Sequence, residues 1–498
     1  MKFYFGQVTL LSFHVHFDTL TIYNKVSNRW AELFYDPRRW RVKLEKISSC
    51  KIELINASKN CFDFMLYVET FDNEFFEFYE SIIIKKETSK EERILGELKL
   101  NNHEKLLVID RFSSTEGVSL LLKNVEKKEK NRKFSVFLTE EMAKVLDKLK
   151  VLSVSPLFPK GEPTTNRLYL AKITLFENKA LLIKRYLPRE RFYRGNNELE
   201  ALKTFKKTGF TPKLFGGIKT QRKPESREQI LAIFMENIKE SKELGEIIWK
   251  TTQKKCLKEK PQPQQSNLET LIEKVVKSVI FQFHKIGYEH KNRITKNLQI
   301  SPLYDLMPLI KKDMDKNIKN LLQNQLINTQ EAEKIGKTLK TLLEKTPIKP
   351  FTIIHNDAQW RQILLTKKER LVILDLEEFY IGHPAKDIAD LITANKFIAK
   401  HLELTENIIP NCPTKFLEKI NEKIIKTYQN LLKTENLPWK KHFQKIVNLY
   451  TLLRHLHDAA YYSPLTKEKE MFKDFTNFSM RMFWETLEKQ IKNHAKTA

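Results

Sequence analysis

The sequence predicts an α+β protein, in which a strand-rich first half is followed by a long helical half. Short apolar segments, rich in β-branched and aromatic residues, recur through residues 1 to about 150 and again from 167 to 235. Beyond Glu240, apolar residues instead repeat with a period near 3.6 over long segments, which is the pattern of amphipathic helices. A chain of 498 residues is long enough for two or three domains with a sizeable core.

Composition excludes several protein classes. The formal net charge is +26, but Lys alternates with Glu almost everywhere, so solvated helix faces are favoured over a dedicated anion-binding surface. Runs of about 18 apolar residues are missing, so no transmembrane helix is expected. The N-terminus alternates like a strand and has no small-residue cleavage site, so a secretory signal is not expected.

The cysteine pattern suggests a reducing compartment. The four Cys are widely scattered and form no CxxC pair. Neither a disulfide framework nor a zinc site is expected from such spacing, and a cytoplasmic location is favoured.

Individual elements follow from these periods. In the first half we expect four strands and one helix with Thr139 as its N-cap: strands Lys51–Ile55, Phe62–Thr70, Ser81–Lys85 and Leu106–Ile109, then helix Thr139–Leu149. A loop rich in Pro, Ser and Thr, Ser153–Asn166, marks a domain boundary. Beyond it we expect strands Arg167–Phe176, Ala180–Tyr186 and Gln229–Met235, with helix Asn196–Lys206 among them.

The second half begins with a polar Pro/Gln segment, Thr251–Gln265, expected to be a surface loop. The predicted helices after it are Asn267–Ile286, Ser301–Gln323, Thr329–Leu343, Lys415–Leu432, His442–Tyr462 and Phe472–Lys492. A small β-rich part followed by a large helical part suggests two lobes around a cleft.

The stretch 353–390 carries the chemistry. Strand Phe351–Ile354 runs into Asp357, and a later strand, Leu371–Leu374, ends on Asp375. Two strands joined by a short connection should bring these two carboxylates close together. One carboxylate of such a pair can accept a hydroxyl proton while the other holds a divalent cation.

A phosphate-binding cation is also predicted. Lys184 lies inside an apolar strand, where a lysine more often points to solvent. Glu198, on the helix immediately downstream, is placed to pair with it. Glu200 is the alternative partner, because a helix turns only one of these two positions inward.

These features resemble the aminoglycoside phosphotransferase and choline kinase family, a branch of the protein-kinase-like fold. The family's catalytic loop commonly reads HGDLHxxNIL, and residues 355–364 read HNDAQWRQIL. Its metal strand commonly reads IDFEDAGYGDPAYDLA, and residues 374–389 read LDLEEFYIGHPAKDIA, with acidic residues, Gly, Pro and the distal Asp in register. The resemblance covers about residues 156 to 490.

The resemblance implies a role for each matching position. Asp357 would be the catalytic base, and Asp375, Gln362 and Glu377 would hold Mg²⁺, with His355 and Asp387 keeping the catalytic loop in shape. Lys184 and Glu198 would form the phosphate-binding pair of the ATP site. The remaining nucleotide contacts would come from the hinge and from the phosphate-covering loop 161–166: Met235, Glu236, Ile238, Thr164 and Thr165. His284 would be structural, on the helix that supports the catalytic loop.

Three departures from the family pattern in the catalytic loop matter for the chemistry. Gln362 stands where the family has Asn, Asn356 where it has Gly, and Gln359 where His is frequent. Gln offers the same amide oxygen as Asn, one methylene further out. The carboxylates are kept, which favours an active enzyme over a pseudokinase.

The expected architecture is a β-rich N-terminal domain of unknown role over 1–152, a kinase-like N-lobe over 156–240 and a helical C-lobe over 241–495. The expected activity is ATP- and Mg²⁺-dependent transfer of the γ-phosphoryl to a hydroxyl of a small sugar or amino-alcohol. Lys-rich C-lobe helices point to an anionic acceptor, with a peripheral membrane contact left open. Nucleic acid is not expected as a partner, since no recognised motif is visible. The alternative is a catalytically weak, kinase-like scaffold that binds a nucleic acid, membrane or protein partner through its basic surface.

Overall fold

The computed structural model describes most of the chain and divides it into two compact units. The first unit comprises Met1–Lys206 and Pro212–Ile238, and the second Lys207–Thr211 and Lys239–Ala498. The residues described are 2–5, 8–12, 21–22, 47–58, 61–70, 75–89, 92–99, 105–123, 134–157, 167–174, 180–186, 194–221, 228–257, 266–300, 305–346, 348–349, 351–404, 408–409, 411–467 and 470–495.

Strands dominate the first unit. Its described strands are β1 (Lys2–Phe5), β2 (Val8–Ser12), β3 (Thr21–Ile22), β4 (Ile47–Ser58), β5 (Cys61–Thr70), β6 (Phe75–Lys85), β7 (Ile94–Lys99), β8 (Lys105–Asp110), β9 (Phe134–Leu138), β10 (Val151–Leu157), β11 (Arg167–Ile173), β12 (Ala180–Arg185), β13 (Leu214–Thr220) and β14 (Gln229–Glu236). Its described helices are α1 (Thr115–Lys123), α2 (Glu140–Ala143) and α3 (Arg194–Thr204).

Helices dominate the second unit. They are α4 (Leu244–Cys256), α5 (Ser266–Val275), α6 (Phe281–Glu289), α7 (Lys291–Asn297), α8 (Met307–Gln323), α9 (Thr329–Glu344), α10 (Ala385–Glu403), α11 (Cys412–Thr434), α12 (Phe443–Tyr462) and α13 (Glu470–Ala495). A π-helical turn, Val276–Ile280, joins α5 to α6. The described strands here are short: β15 (Ser241–Glu243), β16 (Thr352–Ile354), β17 (Ile363–Thr366), β18 (Leu371–Ile373) and β19 (Tyr380–Gly382).

Two antiparallel sheets form the first unit. Within the described residues, one has the strand order β2-β1-β7-β8-β6-β5-β4-β3 and the other the order β10-β11-β12-β14-β13-β9. The second sheet takes β9 from the N-terminal region, where Phe134–Leu138 pair with Gly216–Thr220 of β13. One buried cluster joins the two regions, since Tyr79 and Phe112 pack with Tyr169 and Ile183.

A separate β-rich domain over 1–152 is therefore not confirmed. Both β9 and the buried cluster cross the predicted boundary. The predicted loop Ser153–Asn166 is wrong over its first residues, because β10 extends to Leu157 and pairs with β11. The rest of that loop lies outside the described residues.

The helix predicted over Thr139–Leu149 is shorter than expected. Thr139 is the N-cap, and its hydroxyl accepts a hydrogen bond from the N–H of Met142. The α-helix ends at Ala143 and a 3₁₀ turn, Leu146–Lys148, follows. Lys150 already exchanges hydrogen bonds with Thr174 at the start of the sheet, so the chain leaves the helix before that point.

Most of the predicted helices of the second half are confirmed, with small shifts at their ends. A capping box explains why α9 starts at Thr329. The Asn328 side chain accepts the N–H of Glu331, and the Glu331 carboxylate accepts the N–H of Asn328, both at 2.9 Å. The predicted surface loop Thr251–Gln265 is wrong in its first part, because α4 continues to Cys256. Residues 258–265 lie outside the described chain.

A short segment ahead of β13 belongs to the second unit. The backbone oxygen of Phe210 accepts the N–H of Ile373 in β18 at 2.8 Å. The guanidinium of Arg370 donates to the backbone oxygens of Gly209 and Thr211, each at 2.7 Å. Phe210 itself is buried.

The expectation that the cysteines form no disulfide is wrong. Cys256 at the end of α4 and Cys412 at the start of α11 are joined by a disulfide, with Cα atoms 5.6 Å apart. The two residues are 156 positions apart, so their spacing carried no signal of the pairing. The expected cytoplasmic location loses the cysteine argument on which it was based. In the described part of the chain, every helix is too short or too polar to cross a bilayer.

Candidate active site

The catalytic loop follows β16 in the second unit. β16 pairs with β19, and its last residue leads directly into His355, Asn356 and Asp357. Asn356 has a φ of 70°, the left-handed region that Asn tolerates better than most residues. This conformation explains how Asn can stand at a position where the related sequence pattern has Gly.

Asp387, near the start of α10, binds this loop. Its carboxylate accepts the backbone N–H groups of His355 at 2.8 Å and Asn356 at 2.9 Å. Burial acts to raise the pKa of Asp387, but hydrogen bonding and charge from His284 outweigh it, and the pKa is lowered. The loop is thus held by a buried carboxylate anion.

His284 on α6 completes this support. Its Nε2 lies 2.9 Å from the Asp387 carboxylate, and its Nδ1 lies 2.7 Å from the Tyr428 hydroxyl. Because the ionised Asp387 can only accept, Nε2–H of His284 donates to it. His284 is fully buried and occupies a supporting position behind the loop.

The Asp357 carboxylate has three donors. Oδ1 accepts from Gln359 Nε2 at 2.9 Å and from Arg454 Nη1 at 3.1 Å, and Oδ2 accepts from Gln362 Nε2 at 3.2 Å. Burial acts to raise the pKa of Asp357, but Arg454 and Gln359 outweigh it and lower the pKa to about 2. The carboxylate therefore stays ionised at neutral pH and can orient a hydroxyl group.

Asp375 follows β18 at the edge of the β17–β18 pair. It has a φ of 58°, again in the left-handed region. The Leu374 N–H donates to the backbone oxygen of Gln362 at 2.7 Å, and the backbone oxygen of Leu374 lies 2.8 Å from Nε2 of His355. The backbone next to Asp375 is therefore tied both to Gln362 and to the catalytic loop.

The residues at this edge are of types that could hold a magnesium ion. The Gln359 N–H can only donate, so the atom of Gln362 that faces it at 3.2 Å is the amide oxygen, whose second lone pair can reach a cation. Glu377 is buried in the 3₁₀ turn that follows Asp375. Among the described residues, no three His, Cys, Asp or Glu side chains converge as a metal cluster. Mg²⁺ is commonly held by one or two carboxylates together with substrate phosphates and water, so Asp375 and Gln362 would be the residues to hold it here.

Arg454 on α12 is a site residue that the sequence reasoning missed. Its guanidinium lies 3.1 Å from Asp357, 3.5 Å from Asp390 and 2.9 Å from Asp458. Arg454 and Asp458 are four residues apart on one helix face, and this spacing was the available signal.

Lys386 also joins this cluster of charged side chains around Arg454. Lys386 donates to Asp390 at 2.9 Å and to the backbone oxygen of Asn356. Burial raises the pKa of Asp390 despite Lys386 and Arg454, and it raises the pKa of Asp458 to about 6 despite Arg454. Three aspartates thus meet two cations beside the catalytic loop.

Lys184 and Glu198 lie together in the first unit. Lys184 Nζ is 2.8 Å from the Glu198 carboxylate, and both side chains are buried, at 8% and 3% exposed. Tyr186, two residues along the strand, also donates to Glu198. Glu200, the alternative partner, accepts a hydrogen bond from Thr204 at 3.4 Å.

The other predicted nucleotide contacts are placed only in part. Met235 and Glu236 are the last residues of β14, and Glu236 exchanges hydrogen bonds with the backbone of Lys213. Ile238 ends the first unit. Thr164 and Thr165 lie outside the described residues.

Comparison with solved structures identifies the fold. Glucosamine kinase in complex with glucosamine, ADP and inorganic phosphate is similar at a TM-score of 0.56 and 9% identity, over 92% of this chain and 98% of that chain. A second crystal form of glucosamine kinase has a TM-score of 0.53 and 10% identity, over 93% of this chain and 100% of that chain. A choline kinase from Cryptosporidium parvum Iowa II has a TM-score of 0.43 and 16% identity, over 77% of this chain and 97% of that chain.

No protein-family model and no curated protein sequence matches the chain. At identities of 9–10%, the likeness to glucosamine kinase concerns the fold. The chain therefore has the α+β, protein-kinase-like fold of small-molecule kinases that its two motifs predicted.

Proposed function

We propose that this chain is an ATP- and Mg²⁺-dependent kinase that transfers the γ-phosphoryl group to a hydroxyl of a small sugar or amino-alcohol. The observation that carries the proposal is the ionised Asp357, held in a loop that Asp387 braces and tied to the strand edge of Gln362 and Asp375. Phosphoryl transfer needs positioning and charge neutralisation, and this arrangement offers both. Glucosamine kinase, of the same fold, has been solved with a sugar acceptor and ADP.

Each residue has a role in this proposal. Asp357 orients the acceptor hydroxyl and takes its proton as the new bond to phosphorus forms. Lys184, held by Glu198, binds ATP phosphate oxygens. Asp375 and Gln362 hold Mg²⁺, which when bound neutralises charge on the phosphates. Met235, Glu236 and Ile238 supply the contacts to the adenine.

The charge of the acceptor is a further part of the proposal. Helix α8 carries four Lys and two Asp, and this excess of positive charge favours an anionic acceptor, as expected from the sequence. Three aspartates meet only two cations beside the catalytic loop, and this excess of acid favours an amino group near the reacting hydroxyl instead. A panel of neutral sugars, amino sugars and phosphosugars distinguishes these two cases by which class releases ADP fastest.

The first test is nucleotide binding. Thermal unfolding of the wild type and of Asp375→Asn is compared with and without ATP and Mg²⁺. We expect ATP to stabilise the wild type only when Mg²⁺ is present, because binding to the native state raises the unfolding temperature. Asp375→Asn should lose this dependence. A wild type that millimolar ATP leaves unshifted contradicts the kinase proposal.

One observation favours the scaffold alternative. Asp357 already has three hydrogen-bond donors, and Gln362 turns its amide nitrogen toward it, which is the arrangement of a closed polar network. A catalytically weak scaffold would tolerate the loss of Lys184, Asp357 and Asp375 in binding its partner. Partner capture by the triple variant at wild-type strength, with no ADP released by the wild type, would support this function.

A further inference from the structure

β12 presents different side chains to its two faces. Lys184 and Tyr186 point to the face that carries Glu198 of α3. Leu181 and Ile183 alternate with them and join the buried cluster that contains Tyr79 and Phe112. Arg185 shares that second face, so the residue next to the predicted phosphate-binding lysine points toward the N-terminal region.

Arg185 takes its described partners from that region. Its guanidinium donates to the Glu80 carboxylate at 2.6 Å and to the backbone oxygen of Tyr79, and it lies 3.6 Å from Asp110. It also stacks over the rings of Tyr79 and Phe112, 5.2 and 5.3 Å from their centroids. Arg185 is fully buried, and these contacts span more than 70 positions of sequence.

The neighbouring strand repeats the connection. Arg167 of β11 is the register partner of Arg185, and it donates to Glu80 at 3.3 Å and to Asp110 at 3.1 Å. Tyr169 donates to Asp110 at 2.6 Å. Buried charges must keep their partners, because leaving one uncompensated is costly. The backbone of β12 is therefore fixed by side chains of β6 and β8.

We propose that Arg185 is a positioning residue for Lys184, and that Glu80 and Asp110 of the N-terminal sheet set its place. A shift of Arg185 would move the adjacent Lys184 away from Glu198, since both belong to one strand. The N-terminal region thereby serves the nucleotide site rather than forming an independent module. The consequence for ATP rests on the proposed function, whereas the position of Lys184 does not.

The test measures the chemical reactivity of Lys184 directly. Wild type and Glu80→Gln are labelled with trace acetic anhydride, and the modification of Lys184 is followed by mass spectrometry against the exposed Lys206 of the same digest. We expect the relative labelling of Lys184 to rise about fivefold in Glu80→Gln, since residues within one ion-pair network are coupled by factors of this order. Glu92→Gln is the matched control, because Glu92 is a buried carboxylate of the same region that pairs with Lys85 and lies outside the Arg185 cluster.

Equal labelling of Lys184 in wild type and Glu80→Gln overturns the proposal. An increase of the same size in Glu92→Gln also overturns it, because the effect would then be a general loosening. If Glu80→Gln does not fold, Tyr169→Phe replaces it, since it keeps the ring and removes only the hydrogen bond to Asp110. A smaller increase in the same direction is expected there, and none would contradict the proposal.

Kinetics separate this inference from the proposed function. In an active enzyme, Glu80→Gln should raise the KM for ATP several-fold and leave the KM for the acceptor unchanged. A change confined to kcat, or shared by both substrates, would argue against positioning. A wild type without phosphotransfer would sink the proposed function, while the labelling ratio would still decide the role of Arg185.

Discussion

Two clusters of arginine and carboxylate side chains occupy the two units, and they differ in balance and exposure. In the first unit, three arginines meet three acids, and every member is buried: Arg111, Arg167 and Arg185 with Asp63, Glu80 and Asp110. In the second unit, two cations meet three acids: Arg454 and Lys386 with Asp357, Asp390 and Asp458.

The difference separates a structural network from a chemical one. The first cluster is matched in charge and closed to solvent, so its ion pairs fix the packing of two sheets. In the second, the side chains of Asp357 and Arg454 are 32% and 20% exposed, and acids outnumber cations. A partly exposed, ionised carboxylate on a loop with a left-handed residue is available to a substrate, whereas a fully buried one is not.

Asp357→Asn should break the second cluster's chemistry with the largest effect. We expect kcat to fall about 10³-fold, because a positioned general base contributes roughly 10²–10⁴-fold. Initial rates of ADP release with saturating ATP measure it, and Asp315→Asn, at an exposed position of α8, is the control. Retained ATP binding with lost turnover is expected. Activity within a factor of two of wild type would remove Asp357 from the mechanism.

Arg111→Met should break the first cluster's structure. It leaves the Asp63 carboxylate buried without its arginine, and we expect a loss of about 3 kcal/mol in the free energy of unfolding. Urea unfolding followed by circular dichroism gives this value. Lys144→Met serves as the comparison, because it removes an exposed pair with Glu140 and should cause no measurable change. Similar curves for the two variants would show that the first cluster has no structural role.

Asp458→Asn should weaken the dependence of the free energy of unfolding on pH. The folded-state pKa of Asp458 is about 6, above the ordinary value of 3.8, so the folded state binds more protons between these values. Stability from this group is therefore present at low pH and is lost as pH rises through 6, by up to roughly 3 kcal/mol. Urea unfolding at pH 4 and pH 7 should show this loss in wild type and less of it in Asp458→Asn. Identical pH slopes would contradict the assignment.

Arg454→Met should produce the smallest change in the reaction rate at neutral pH. Without the guanidinium, burial dominates and the pKa of Asp357 rises from about 2. The acid limb of the kcat/KM profile should then move to higher pH, while the rate at pH 8 changes little. Lys316→Met, on α8, is a control for lost surface charge. An unmoved acid limb would show that Arg454 does not set the ionisation of Asp357.

Local pattern in the sequence was enough to predict part of this molecule. Six of the long helical segments follow from their 3.6-residue period, although α4 and α10 were not predicted. The pairing of Lys184 with Glu198 follows from strand and helix faces that are close together in sequence. The motif around Asp357 and Asp375 placed the site in the second half.

The rest depends on contacts between distant residues. Arg454 meets Asp357 across 97 positions, and Arg185 meets Glu80 across 105. A period of 2 or 3.6 residues carries no information about such partners. The disulfide between Cys256 and Cys412 and the addition of β9 to the second sheet were missed for the same reason.

The short segment Lys207–Thr211 has a consequence for dissecting the chain. It belongs to the second unit, although the sequence on both sides of it belongs to the first. A fragment beginning at Lys239 would lack Phe210 and leave the N–H of Ile373 in β18 without its acceptor. It would also remove two acceptors of the Arg370 guanidinium, the backbone oxygens of Gly209 and Thr211. Such a fragment would expose an open strand edge and should aggregate. Supplying residues 207–211 as a tethered peptide at its N-terminus should restore solubility, so the helical unit is a discontinuous folding unit in sequence.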